Sequence, residues 1–366
     1  MTWAQVRAWR IERHRLTNRS TPDEPIAALA RAMCGVHAQL MSAAELSIKA
    51  RRDHTSVADV RAALYRDRTL YKTWAMRGTL HLLPAEDVAW YVAALRPRTS
   101  TFRLSWQRFF EVTAEEVEQL MDAIGAALDG KCLTRGELAD EVARITGLPK
   151  MAEHLRRGWG SLLKPAAYRG ILCFAQSQGQ NVRFARPDQW LGPFPALDSR
   201  VAQREMLRRY VFSFGPATRE HFARWWGSLA SMNPVWKAAL ADGELAEVEL
   251  EDGVRAWALS ADVDRLTAIA PPEATHVRLL PHFDGYLMGF GPRTQLVTPA
   301  LVGRVFRPQG WISPVVLVGG RVVGVWEPKR GTAVVELFEP LSKPQRRALE
   351  ADAARLGFEL DSQLAC

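Results

Sequence analysis

The 366-residue chain has little of what marks secretion, metal binding or membrane insertion. Its four cysteines, Cys34, Cys132, Cys173 and Cys366, lie far apart, with no CxxC pair and no metal-ligand spacing. That usage excludes a disulfide scaffold and fits reduced thiols in a cytoplasm. No apolar run approaches the roughly 18–20 residues of a membrane span. The opening MTWAQVRAWRIERHRL is charged throughout and lacks the apolar stretch of a secretory leader. Walker, GxGxxG, GxSxG and HExxH sequences are missing, so nucleotide hydrolysis, dinucleotide binding and zincin chemistry have no support. The histidines form no ligand spacing, and neither a metal nor a cofactor is expected.

Nearly half of the chain, 48%, is apolar and 24% is charged, the composition of a globular protein with a substantial core. Its length implies two or three domains. The net charge of +8 is unevenly spread. Residues 1–110 carry +9 (18 basic, 9 acidic), 148–224 carry +8 (13 and 5), and 275–366 carry +3 (11 and 8). Residues 111–147 and 225–274 carry −6 each (3 basic and 9 acidic in both). Most of the cations are arginine, which suits bidentate phosphate contacts. A GC-rich genome that prefers arginine codons gives the same excess. The sharper reading is a nucleic-acid footprint, with the two basic blocks lining one concave face and the acidic segments pointing away.

Three stretches look alike: MRGTLHLLPAEDV (76–88), NVRFARPDQW (181–190) and VRAWALSADVD (254–264). Each reads as a strand of alternating apolar residues passing into a polar turn that carries an aspartate. Helical sequence with apolar positions at a period of 3.6 precedes each. Thr134 with Glu137 has capping-box spacing, and Thr218 with nearby Glu220 is a second helix start. Helices followed by a two-stranded hairpin outline a winged helix-turn-helix, and the pattern recurs near 25–95, 115–190 and 210–262. After residue 275 the character changes. GWISPVVLVGGRVVGVWEPKRGTAVVELFEPL reads as three strands, joined by a Gly319–Gly320 turn and by a basic EPKRG turn. A final amphipathic helix follows in SKPQRRALEADAARLGF. The expected class is therefore mainly α with β, with domains at 1–110, 111–200, 201–274 and 275–366.

Together, VHAQLMSAAELSIKAR, MRGTLHLLPAED and LLPHFDGYLMGFGPR resemble the AlkZ-like, or YcaQ-type, winged-helix DNA glycosylases, in the same order and over essentially the whole chain. The resemblance implies three tandem winged helices around a concave DNA channel, followed by a small β-rich domain. It also implies monofunctional removal of alkylated purines, especially N7-alkylguanines, with interstrand crosslinks accepted by some members. The Ala- and Arg-rich composition points to a high-GC bacterium, and family membership alone allows a role in antibiotic self-resistance. The family signature is Gln-Φ-Gln, or Gln-Φ-Asp in one branch, where Φ is apolar. The matching positions here are His37, Ala38 and Gln39, so the first glutamine is replaced by histidine.

Geometry allows this pair to work. Inside a helix, residues two apart point to nearly opposite sides; in extended chain they face the same way. Gly35 is a stop for the apolar run IAALARAM, and Ser42 with Glu45 has capping-box spacing for a new helix, so the residues between are expected to be extended. A guanine alkylated at N7 is already cationic and leaves readily. It needs a water placed at the sugar C1′ and stabilisation of an oxocarbenium-like transition state. Gln39 can accept a hydrogen bond from that water through its amide oxygen. A neutral His37 can hold the water as acceptor or act as a modest base, worth ~10²-fold. The plainer reading is that both satisfy backbone groups in an interhelix loop.

Asp284, in a turn flanked by aromatics, is a candidate to stabilise the cationic sugar or to orient a catalytic neighbour; it can equally cap the turn at Gly285. Arg77, Arg293, Lys329 and Arg330 are the candidate DNA contacts. Arg77 can instead pin the wing through an ion pair, and an exposed turn also tolerates Lys329 and Arg330 as a solvated pair. The thirteen tryptophans sit mostly at apolar spacing and read as core. The expected partner is double-stranded DNA containing alkylated purines, met by a monomer in the cytoplasm with no membrane contact. A different class, a non-catalytic winged-helix DNA-binding regulator, usually adds a dimerisation or effector domain. None is evident, and the third repeat's NPVWKAALADGEL has one basic residue, which reads as scaffold.

Overall fold

A computed structural model describes residues 1–99, 104–157, 160–227, 232–289 and 291–361; Cys366 lies outside the described residues. Helix accounts for 51% and strand for 19%, so the chain is mixed with helix predominating, as expected. Contacts gather it into two compact units, residues 61–206 and residues 1–60 with 207–366. Among the described residues no helix is long and apolar enough to cross a membrane.

One order of elements runs three times along the chain. Helices Ile26–Ala32, Met41–Arg51 and Val57–Tyr65 lead to the hairpin Leu70–Trp74 and Leu80–Pro84. Ala114–Ala127, Arg135–Thr146 and Pro149–Arg157, with the short Lys164–Tyr168, lead to Cys173–Gln178 and Asn181–Ala185. Ser199–Phe214, Arg219–Trp226 and Asn233–Ala241 lead to Leu245–Glu249 and Arg255–Leu259. Between the first two helices of each run lies a short extended piece: Val36–His37, Leu133–Thr134, and Ala217, which bridges Trp257. The third run begins at residue 199, ahead of the 210 indicated by the sequence. Ala202, Met206, Tyr210, Val211 and Phe214 keep helical spacing and are buried, so apolar periodicity extends the helix backward.

Caps set several of these starts. Thr134 and Glu137 form the expected capping box, and Thr113 with Glu116 forms another. Thr218 caps its helix, but its reciprocal partner is His221, not Glu220, because the N3 side chain is the one that reaches back to the N-cap amide. Each hairpin ends in the expected aspartate-bearing turn, wound as one helical turn: Ala85–Asp87, Pro187–Trp190 and Ser260–Asp262. Arg255–Leu259 alternates in burial as expected, whereas Leu80–Pro84 is buried throughout. The difference follows from how the faces are covered: both faces of Leu80–Pro84 are buried, whereas one face of Arg255–Leu259 is. Arg255–Leu259 belongs to a two-stranded ribbon. Leu80–Pro84 belongs to a larger sheet in the 61–206 unit, where Lys72 pairs with Phe174 and joins the first hairpin to the second. Trp74, Phe174 and Phe184 form its aromatic core, with ring centroids 4.8 and 5.1 Å apart along the chain of contacts. Gly160, at φ +79°, lets the backbone pass against the Trp74 ring; a Cβ there would run into it.

In the other unit, five strands pair in the order Glu359–Leu360, Thr332–Leu337, Arg321–Lys329, Val315–Val318 and Val277–Leu280. The pairings are antiparallel except for the two-residue contact of Thr332–Leu337 with Glu359–Leu360. Three of these strands and both expected turns stand where the sequence places them. The closing helix Lys343–Leu356 starts on a Ser342–Gln345 capping box. Its Asp352 accepts a hydrogen bond from the Leu279 N–H at 2.8 Å. Leu279, Val315, Trp326 and Leu349 share one apolar core with Trp3 and Val6 of the N-terminal helix Trp3–Arg13.

Candidate active site

The His-Ala-Gln stretch sits where one helix has been stopped and the next has not begun. Ile26–Ala32 ends in left-handed residues Cys34 (φ +54°) and Gly35 (φ +92°), and the Gly35 N–H donates to the Ala30 carbonyl at 2.8 Å. The chain is then extended at Val36–His37 and bends at Gln39 and Leu40. The expected Ser42–Glu45 capping box does not form. Helix Met41–Arg51 begins at Met41 behind Leu40, with no side-chain cap, which puts Ser42 already inside the first turn. Glu45 is turned into the interior instead of back to the helix start.

The two motif residues meet different surroundings. His37 is buried, and its ring lies against Phe283 with centroids 5.0 Å apart at 38°. Gln39 is exposed. Phe283 has φ +55°, a conformation that costs a bulky residue strain and persists where the surroundings enforce it. What enforces it is the next residue. Asp284 is bound by the Arg51 guanidinium through two hydrogen bonds of 2.7 and 2.6 Å, and both side chains are fully buried. Ser47 Oγ donates to the same carboxylate at 2.8 Å and the Tyr286 N–H at 3.0 Å. Burial by itself raises the Asp284 carboxyl pKa; the Arg51 charge and these hydrogen bonds outweigh it and hold the group below the usual carboxylate range. Asp284 therefore caps the turn at Gly285 and also ties that turn to the helix that follows the motif.

Beside this pair His14 is fully buried, with its ring 5.8 Å from Tyr286 and 4.8 Å from Phe214. Burial, reinforced by the positive charge of Arg51, pushes it down to about 3, so it is neutral at physiological pH. A cavity of about 240 Å³ opens along Met41–Arg51, lined among others by Ser42, Glu45, Lys49, His282, Trp326 and Phe358. Among the described residues no group of three His, Cys, Asp or Glu is arranged to hold a metal ion.

The AlkZ-like DNA glycosylase family profile matches residues 30–357. The Interstrand DNA cross-link repair glycosylase of Streptomyces sahachiroi is 37% identical over 363 residues, 97% of this chain and 95% of that protein. The solved structure of Streptomyces sahachiroi DNA glycosylase AlkZ superimposes with a TM-score of 0.89 at 35% identity, covering 99% of both chains. This chain belongs to the AlkZ-like DNA glycosylase family. It is a DNA glycosylase.

Within this glycosylase the sequence-derived residues are dispersed. His37, Gln39, Asp284, Arg293, Lys329 and Arg330 belong to one compact unit, and Arg77 belongs to the other. Arg77 stands at φ +56° in the turn between Leu70–Trp74 and Leu80–Pro84. Arg293 is exposed, with its guanidinium 4.1 Å above the Phe306 ring. Lys329 and Arg330 form the exposed turn between two strands, where Lys329 reaches Glu327 at 3.6 Å. Sequence reasoning missed Arg51 and Ser47. An arginine in a last helical turn looks like an ordinary partner of the helix dipole, so no local signal marked it. It also missed Phe283, although the aromatics flanking Asp284 were visible.

Proposed function

We propose that this glycosylase hydrolyses the N-glycosidic bond of alkylated purines in double-stranded DNA, N7-alkylguanine first among them, by water attack at C1′. The placement of His37 and Gln39 supports this reading. The break between two helices carries both, His37 ending its short extended piece and held by Phe283, and Gln39 at the bend that follows and exposed to an incoming strand. Gln39 accepts a hydrogen bond from the attacking water, and His37 holds that water or takes its proton. N7 alkylation has already made the base a good leaving group, so a positioned polar pair is sufficient catalysis. Asp284 acts as a positioning residue: its oxygens are taken by Arg51, Ser47 and the Tyr286 N–H, and its effect reaches the site through Phe283.

The three helix-and-hairpin runs are read as tandem winged-helix units that carry the duplex, with Arg77, Arg293, Lys329 and Arg330 on its phosphates. Bulky adducts and interstrand crosslinks fall within the proposed substrate range, as the name of the Streptomyces relative supports. The enzyme acts as a monomer with no cofactor. Purified protein is expected to release free 7-methylguanine from methylated duplex DNA. Unchanged DNA after prolonged incubation with excess enzyme would overturn the reading.

A further inference from the structure

Whereas Trp74, Trp225, Trp226, Trp236 and Trp326 are buried, Trp311 is 41% exposed. It stands next to the motif. The Trp311 ring lies 5.1 Å from Phe283 at 42°, and Phe283 lies 5.0 Å from His37 at 38°. His282 also meets Trp311, edge-on at 5.7 Å, with its Nδ1 3.0 Å from the Ile312 carbonyl. That carbonyl can only accept, so His282 Nδ1 is the donor and its ring orientation is set.

The segment that presents Trp311 is a tight reversal. Phe306 bridges Ile312, and the Arg307 N–H donates to the Trp311 carbonyl at 2.8 Å. Gln309 (φ +59°) and Gly310 (φ +81°) complete the turn. Ser313 fastens its base twice, with its N–H on the Val305 carbonyl and its hydroxyl on the Arg304 carbonyl, both at 2.9 Å. A large aromatic on a pinned turn keeps its face in place before any ligand arrives. Leaving that much indole in water is unfavourable unless something covers it in the working state.

We infer that Trp311, continued by Phe283, is the stacking platform for the alkylated nucleobase, and that it selects the cationic base by its π-face. This rests on the glycosylase reading above and extends it to substrate choice. A purine alkylated at N7 is flat and carries a delocalised positive charge. An indole face offers negative potential to that charge as well as stacking area. A base on this ledge has its glycosidic bond beside His37 and Gln39. Unmodified guanine receives the stacking alone.

Single-turnover excision of N7-methylguanine, with duplex binding and thermal stability measured in parallel, tests this. Trp311→Ala is expected to lower the excision rate roughly tenfold or more, with binding of unmodified duplex and the melting temperature little changed. Trp311→Phe, which keeps a flat π-face, should stay within a few-fold of wild type. Trp311→Leu, which keeps apolar bulk alone, should fall with the alanine variant. Leucine performing as well as phenylalanine would overturn the stacking role, as would full activity in Trp311→Ala. A wild-type enzyme that releases no 7-methylguanine would instead overturn the glycosylase reading itself, so the two failures are distinguishable.

Discussion

Arg51, paired with Asp284, and Lys329 with Arg330 put cationic side chains to opposite uses. The first pair is fully buried, with the guanidinium and carboxylate facing each other through two short hydrogen bonds. The second sits on an exposed turn where Glu327, 3.6 Å from Lys329 and itself exposed, is a screened partner. In the interior, desolvation makes each charge depend on the other, so geometry is enforced and removal of one partner is costly. On the turn, water solvates the ammonium and guanidinium whether or not anything is bound, so both charges stay available to phosphates. The buried pair holds a shape, and the exposed one is the pair proposed to meet DNA.

Breaking the interior pair should produce the largest effect. Asp284→Ala leaves the Arg51 charge buried and is expected to cost ~3–5 kcal/mol of folding stability, measured by urea denaturation. A loss under about 1 kcal/mol would mean that water reaches the pair and that the contrast with the turn is false. At the motif the expected defect is catalytic. Gln39→Ala should slow excision by ~10² or more, with DNA affinity and stability nearly unchanged. His37→Ala should also slow it with DNA affinity nearly unchanged, at a stability cost of ~1 kcal/mol or more because its buried ring packs on Phe283. His37→Gln should keep substantial activity, because it restores the Gln-Φ-Gln pattern. Parallel loss of binding or folding in the alanine variants would return both residues to the role of loop filler.

A graded effect of pH sharpens the same contrast. His14 is held down to about 3 and His221 to about 4, mainly by burial, against about 6.5 in an unfolded chain. A depressed pKa means that the unfolded state binds the proton more readily. The stability these groups contribute is complete above about pH 6.5 and is lost as the pH falls toward 4 and then 3. Thermal melts from pH 8 to pH 4 should show the decline setting in below 6.5; a flat profile across that range would contradict it. The smallest change in stability belongs to the turn. Lys329→Ala and Arg330→Ala should leave stability within about 0.5 kcal/mol. They should weaken DNA binding almost uniformly across sequences and each reduce the salt slope by about 1. Unaltered affinity at low salt in the double variant would remove this turn from the DNA contacts.

Much of the architecture was legible because it depends on local signals. The Thr134–Glu137 box, the Gly319–Gly320 turn and the aspartate after each hairpin all appear at their expected places. The stop at Gly35 and the extended chain at His37 were legible for the same reason. The local argument failed at Ser42 and Glu45, where suitable spacing met a chain that bends one residue early and a glutamate drawn inward. It also failed at Leu80–Pro84, whose second face is covered by tertiary packing that alternation alone cannot anticipate.

By itself the sequence determined the repeated helix-and-hairpin order, the break between helices with extended chain at His37, and the exposed basic turn. Each depends on residues within a few positions of one another, where periodicity, caps and glycine conformations act. The bend that begins at Gln39 was not legible. Tertiary structure alone decided that Arg51 would find Asp284 and that Phe283 would be forced against His37. It also decided that Trp311, a residue of core type, would be left facing solvent beside them. Arg51 and Asp284, and likewise His37 and Phe283, are separated by more than two hundred residues of chain. No local propensity selects such pairings; they form because folding brings the segments together and excludes the water that would otherwise solvate each charge and ring.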